Sequence, residues 1–280
     1  LILLRKLLLK FFSDGLTALV LAIIVFGTNY FQMTGFNGLL FSHNVAFLLY
    51  TVVLLATVNW HNNPRWPVAF LLGAAMGSLT LVRPSEAILV LIPILYGVDG
   101  KEGLKTKLSL IRNNFSHVLN TVFGGLLAVA PQLIYWKNAT GNWFHYSYNN
   151  PGEGFDFLDP YTLQFLFSFR KGWLIYTPVM VFGLIGFWAL WKYQRKLFWG
   201  FLLFFIVNLW VVSSWTCWWY AGASFSSRSL IPVYAVLSIP LGYFILDTSR
   251  SKWRRRIVLT SIGLFIALNI FQTYQFQAGI

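Results

Sequence analysis

Residues 15–60 read GLTALVLAIIVFGTNYFQMTGFNGLLFSHNVAFLLYTVVLLATVNW, without a single lysine, arginine, aspartate or glutamate. Two further stretches, 197–227 and 257–280, are equally free of charge. A bilayer-crossing helix needs ~20 mainly apolar residues, so these runs hold several spans. The rest of the composition agrees. Apolar residues make up 57% of the chain and charged residues 10%, against ~25% charged in ordinary soluble domains. A soluble chain of this length would need a charged coat that this one cannot supply. The expected fold is all-α: a polytopic transmembrane helical bundle.

The net charge of +13 would suggest nucleic acid in a soluble protein. Here the basic residues sit in short clusters between apolar runs, the distribution of cytoplasmic membrane loops, and no nucleic-acid partner is expected. The single cysteine, Cys217, excludes an internal disulfide and any cysteine-based metal cluster. The four histidines show no zinc-ligand spacing. Leu1 opens a basic-apolar stretch that runs into a full-length span rather than a small-residue cleavage site, so no cleavable signal peptide is expected. The chain reads as the C-terminal part of a longer protein: one transmembrane domain over 1–280, with a catalytic part upstream.

Nine hydrophobic helices are expected, at about 14–31, 43–60, 67–82, 86–98, 114–136, 172–191, 197–213, 230–247 and 257–274. With the N-terminus cytoplasmic and the C-terminus outside, sixteen lysines and arginines fall on the inner side. Five fall on the outer side: Arg83, Lys137, Arg170, Lys171 and Arg228. That asymmetry follows the positive-inside rule, which sets orientation across a membrane; the expected location is a cell (inner) membrane. The outer segments are 32–42, the turn at 83–85, a long polar and aromatic loop at 137–171, and 214–229. The long loop has a turn-rich centre, Asn149-Asn150-Pro151-Gly152-Glu153-Gly154. The inner connections are short and basic, so binding or chemistry is expected on the outer face. Gly73 and Gly77, with Ala69, Ala74 and Ala75, give the helix at 67–82 a small-residue face for close packing.

Arg83 interrupts two apolar helices in Thr80-Leu81-Val82-Arg83-Pro84-Ser85-Glu86. An arginine near lipid is costly unless paired or solvated, and a guanidinium matches a phosphate with a planar fork of donors. Arg83 is therefore either a clamp on a lipid-linked phosphate, a structural ion pair with Glu86, or a snorkelling side chain. The segment from Trp215 to Arg228 contains Trp218, Trp219 and Tyr220, then a small-residue run. It reads as an interfacial aromatic belt or as the aromatic wall of a sugar or polyprenyl site, with Arg228 as a second phosphate donor. His43, in Ser42-His43-Asn44, belongs to a helix N-cap or hydrogen-bonds a phosphate or sugar. Lys171, with Arg170, lies where the long loop re-enters the membrane, as an anchor or a phosphate contact. Glu153, Asp156 and Asp159 are the carboxylates of that loop; they serve solubility or an acceptor site, and no metal-binding spacing is present.

These segments resemble the C-terminal part of GT-C glycosyltransferases of the protein-O-mannosyltransferase and aminoarabinose-transferase type, especially bacterial relatives. The likeness rests on Ser42-His43-Asn44-Val45-Ala46-Phe47, Ala69-Phe70-Leu71-Leu72-Gly73 running into Leu81-Val82-Arg83-Pro84, Ser168 to Pro178, and Trp218-Trp219-Tyr220-Ala221-Gly222 to Arg228. It implies an enzyme that moves a sugar from a polyprenyl-phosphate carrier to an acceptor glycan, lipid or protein on the outer face. Arg83 and Arg228 are the positions that would hold the carrier phosphate, with His43, Glu86, Trp219, Tyr220 and Lys171 around the phosphate or sugar. The family's acidic residue in the first outer loop has no counterpart in 32–42, so no catalytic residue is assigned. Members work with a divalent cation or without one. The alternative is a lipid-linked oligosaccharide flippase or another polytopic transporter. Against it, the proposed helix interiors carry almost no ionisable residues, which coupled carriers place at mid-membrane.

Overall fold

The computed structural model describes residues 1–36, 41–145, 152–220 and 224–280. Among them the chain is helical, without a β-strand; one isolated antiparallel bridge joins Phe155 to Trp215. The helices are α1 (Ile2–Leu8), α2 (Asp14–Phe26), α3 (Tyr30–Gly35), α4 (Ser42–Asn62), α5 (Trp66–Val82), α6 (Leu91–Leu95), α7 (Lys101–Asn113) and α8 (Phe115–Thr140). Then come α9 (Thr162–Phe167), α10 (Trp173–Tyr176), α11 (Met180–Tyr193), α12 (Arg195–Ser213), α13 (Tyr234–Thr248) and α14 (Lys252–Ala278). Short 3-10 turns cover Pro84–Val90 and Arg228–Leu230.

Among the described residues four helices, α4, α8, α12 and α14, are long and apolar enough to cross a membrane. The other apolar segments form shorter helices, and local chemistry explains where they break. The expected helix at 14–31 divides at Gly27–Asn29. There the Thr28 hydroxyl donates to the Ile24 carbonyl (2.6 Å) and accepts from the Tyr30 amide (3.1 Å), competing with the helical ladder. The segment at 172–191 divides at Thr177, which stands before Pro178 with φ −136°; a residue before proline is pushed out of the helical region. The segment at 86–98 is a 3-10 turn followed by the five-residue α6. The basic connection after residue 100 folds as the amphipathic α7, which the hydropathy pattern does not mark as a helix.

Helix α13 is the centre of the bundle. Tyr234 through Leu241 are all buried, and α2, α4, α11 and α14 pack around it. Helix α5 lies against α8 along the small-residue face noted above. A Cβ on Gly73 would overlap the Thr121 carbonyl, and one on Gly124 would meet the Phe70 carbonyl. The Thr121 hydroxyl donates to the Ala69 carbonyl across this seam (3.0 Å). The other face of α8 is open: Phe115, Leu119, Val122, Phe123, Leu126 and Leu127 are exposed. A continuous apolar face of this kind suits lipid and not water.

The ends of the bundle differ in chemistry. At one end Lys192 pairs with Asp247 (3.1 Å), Tyr193 donates a hydrogen bond to Asp247, and Arg250 stacks on Tyr193. Nearby, the Phe12 and Tyr243 rings meet edge to face. Lys107 of α7 reaches the His61 ring and donates to the Pro93 carbonyl (2.7 Å). The opposite end carries Arg83.

Candidate functional site

Pro84 ends α5 and forces Arg83 into an extended conformation (φ −155°, ψ 115°). This turns the guanidinium back toward the start of α4. One nitrogen, Nη1, lies 3.2 Å from Glu86 Oε1 and 3.2 Å from His43 Nδ1. A guanidinium only donates, so Nδ1 of His43 accepts and Nε2 carries the ring proton. Glu86 is fully buried, and Tyr50, two turns into α4, donates its hydroxyl to the second carboxylate oxygen. Arg83 Nη1 is thus held by both an acid and an imidazole. The helix N-terminus at Ser42 has no side-chain cap, so His43 bonds the arginine instead of serving a cap.

Arg228 is fixed by the run that precedes it. Ser224, Ser226 and Ser227 are buried. The Asn29 amide donates to Ser224 (3.1 Å), Thr177 and Ser226 share a hydrogen bond (3.2 Å), and Ser227 donates to the Lys171 carbonyl (2.9 Å). Lys171 donates to the Ser224 carbonyl (2.8 Å), and Tyr234 closes the lattice by donating to Asn29 (2.7 Å). Among the described residues of this run, Ser224, Ser226 and Ser227 are anchors inside the protein, and Ser229, just beyond Arg228, reaches the cleft. Residues 221–223, including Ala221 and Gly222, lie outside the described residues.

The two arginines open on one cavity of about 390 Å³. Ser42, His43, Ser85, Trp215, Trp218 and Tyr220 line it with them, and Glu153 faces it from the long loop. Burial and the neighbouring Arg83 hold the Arg228 guanidinium below its ordinary value. Burial, then Arg228 and Arg170, hold the Lys171 ammonium below its own. Like charges are therefore crowded here. Arg228 belongs to no ion pair among the described residues.

Not every residue singled out from the sequence faces the cavity. Arg83, Arg228, His43 and Tyr220 do. Glu86 stands behind Arg83. Trp219 is taken up by Arg170, whose guanidinium stacks 3.5 Å from its ring. Lys171 serves the serine lattice. Of the outer segment 32–42, residues 37–40 lie outside the described residues, as do Asn149, Asn150 and Pro151 of the turn-rich centre. Sequence reasoning missed Tyr50. Its signal was indirect: an acid beside apolar helices needs a buried donor, and α4 offers a tyrosine two turns below His43. No group of three or more histidine, cysteine or acidic side chains that would hold a metal ion occurs among the described residues.

The fold and site define a helical protein with helices fit for a membrane and an arginine-lined, aromatic-walled cavity at one end. No family model matches the chain, and neither a curated protein nor a solved structure matches it.

Proposed function

We propose that this chain is the membrane part of a glycosyltransferase that takes a sugar from a polyprenyl-phosphate carrier and delivers it to an acceptor at the outer face. One observation carries the reading: Arg83 and Arg228, distant in sequence, share a single aromatic-walled cavity at one end of an apolar bundle. A volume of about 390 Å³ falls in the ~300–1,000 Å³ range of small-molecule sites. When the sugar–phosphate bond breaks, negative charge grows on the leaving phosphate. Fixed guanidinium groups stabilise that charge without reorganising. The carrier's tail remains in lipid, which places the reaction where the bundle meets the interface. The resemblance to GT-C transferases points the same way, and the N-terminus is then cytoplasmic, with the Arg83 end outside.

The test is binding of undecaprenyl phosphate to the protein in nanodiscs. Loss of a charge-assisted hydrogen bond costs about 1.5–3 kcal/mol, so Arg228→Ala should weaken binding about tenfold to a hundredfold. Arg228 is the cleaner probe, because Arg83→Ala also strands the buried Glu86. Arg83→Lys keeps charge but loses the planar fork and should bind at an intermediate level. Arg170→Ala, whose guanidinium stacks on Trp219, should change binding little. If a folded Arg228→Ala protein binds the carrier as tightly as wild type, the clamp is wrong.

A further inference from the structure

The charges around the cavity are unequal in kind. Glu86 is engaged by Arg83 and Tyr50 and does not face the opening. Glu153 is the carboxylate that does, among the described residues. It enters none of the four ion pairs found there. A site built to hold only an anion gains nothing from an unpaired acid facing it.

Glu153 is also held in place. The Gly154 amide donates to the Thr216 hydroxyl (3.1 Å), and the Thr216 amide donates to the Gly154 carbonyl (2.9 Å). The Thr216 hydroxyl also donates to the Gly152 carbonyl (2.9 Å), and the Asp156 amide to the Ser214 carbonyl (2.7 Å). The Phe155 ring meets Trp215 edge to face at 4.9 Å. Gly152 takes a left-handed φ of +82°, which a side chain would strain. Glu153 therefore sits between two glycines, each fastened to the segment after α12, on a wall shared with Trp215 and Cys217.

Two cations and one acceptor-only group around one cavity fit a ligand that is anionic at one point and rich in hydrogen-bond donors beside it. A hexose joined to a phosphate has that form. We infer that Glu153 receives hydroxyls of the sugar carried on the phosphate and so distinguishes the loaded carrier from the bare one. The inference rests on the carrier reading above and assigns the sugar side of the same cavity. A carboxylate accepts from hydroxyls and repels a second anion, so its two effects separate the ligands: it favours sugar-phosphate and disfavours phosphate alone.

The experiment uses the full chain in nanodiscs with three probes: undecaprenyl phosphate, and its glucosyl and mannosyl esters. Glu153→Gln keeps the side chain's shape and removes its charge. It should weaken at least one hexosyl ester about tenfold, while undecaprenyl phosphate binds as well as before or better. Thermal unfolding checks the fold, and Thr216→Val, which loosens the loop without removing the acid, should weaken the same ester to a smaller degree. If Glu153→Gln binds all three probes like wild type, the sugar role is overturned while the carrier reading stands. If it loses bare and loaded carrier alike, Glu153 only shapes the loop, and the inference is again overturned. If wild type binds none of the three, the carrier reading fails and this inference falls with it.

Discussion

The two ends of this bundle handle charge in opposite ways. At the Asp247 end, lysine, arginine and tyrosine surround an acid that keeps contact with solvent: the Lys192 and Asp247 side chains are 48% and 21% exposed. At the Arg83 end, the acid has gone inside. Glu86 is 0% exposed, Arg83 is 25% exposed, and the arginine stands between a buried carboxylate and an open cavity. An ion pair that stays wet contributes little. A buried acid is costly to strand. The first arrangement ties helices together; the second aims a guanidinium.

The comparison is most exposed to a change at Glu86. Glu86→Ala removes the partner of Arg83 and leaves Tyr50 without an acceptor; breaking a buried pair should cost about 3–5 kcal/mol. Reversible unfolding in detergent measures it, and a cost below about 1 kcal/mol would make the two ends equivalent. Tyr50→Phe should come next. It deletes one hydrogen bond to a buried carboxylate, worth about 1.5–3 kcal/mol, and should lower stability while leaving Arg83 paired.

Lys107 gives a smaller, pH-dependent effect. Burial among His61 and Pro93 lowers its pKa to about 8, from an ordinary 10.5. The unfolded chain then binds more protons between these values, so stability rises with pH across that window. The melting temperature of wild type should climb from pH 8 to pH 10.5 by more than that of Lys107→Met, which has no ammonium to discharge. A slope identical in both proteins would show that the lysine is not the source. The smallest effect is expected at the wet pair: Lys192→Ala should lower the melting temperature less than any change above, and less still in high salt.

Much of this was legible in the sequence, and the reasons are physical. Long runs without charge identify apolar helices because hydropathy needs no tertiary context. Arg83-Pro84 was legible as a break, since proline acts on its neighbour locally. The glycines of α5 were legible as a packing face because their spacing puts them on one side of a helix. What the sequence hid were pairings between distant segments. Tyr50 against Glu86, the serines before Arg228 against Asn29 and Thr177, and Trp219 under Arg170 each depend on how helices meet. The helix break at Thr177 follows from Pro178 by the same local rule as Arg83-Pro84, but the break at Thr28 was also hidden, because a hydroxyl inside an apolar run barely changes its hydropathy. So was α7, whose lysines read as a connection until Lys107 found its pocket.

The seam between α5 and α8 has a thermal consequence. Between lipid-embedded helices there is little hydrophobic drive, so contact depends on atoms meeting closely. Long side chains that meet must give up rotamers, and that loss weighs more as temperature rises. Gly73 and Gly124 have no rotamers to give up. Heating should therefore loosen the leucine- and phenylalanine-rich contacts of α11 and α12 before it parts α5 from α8. Arg83, one residue beyond the end of α5, would keep its footing on that helix pair after much of the surrounding bundle has begun to move.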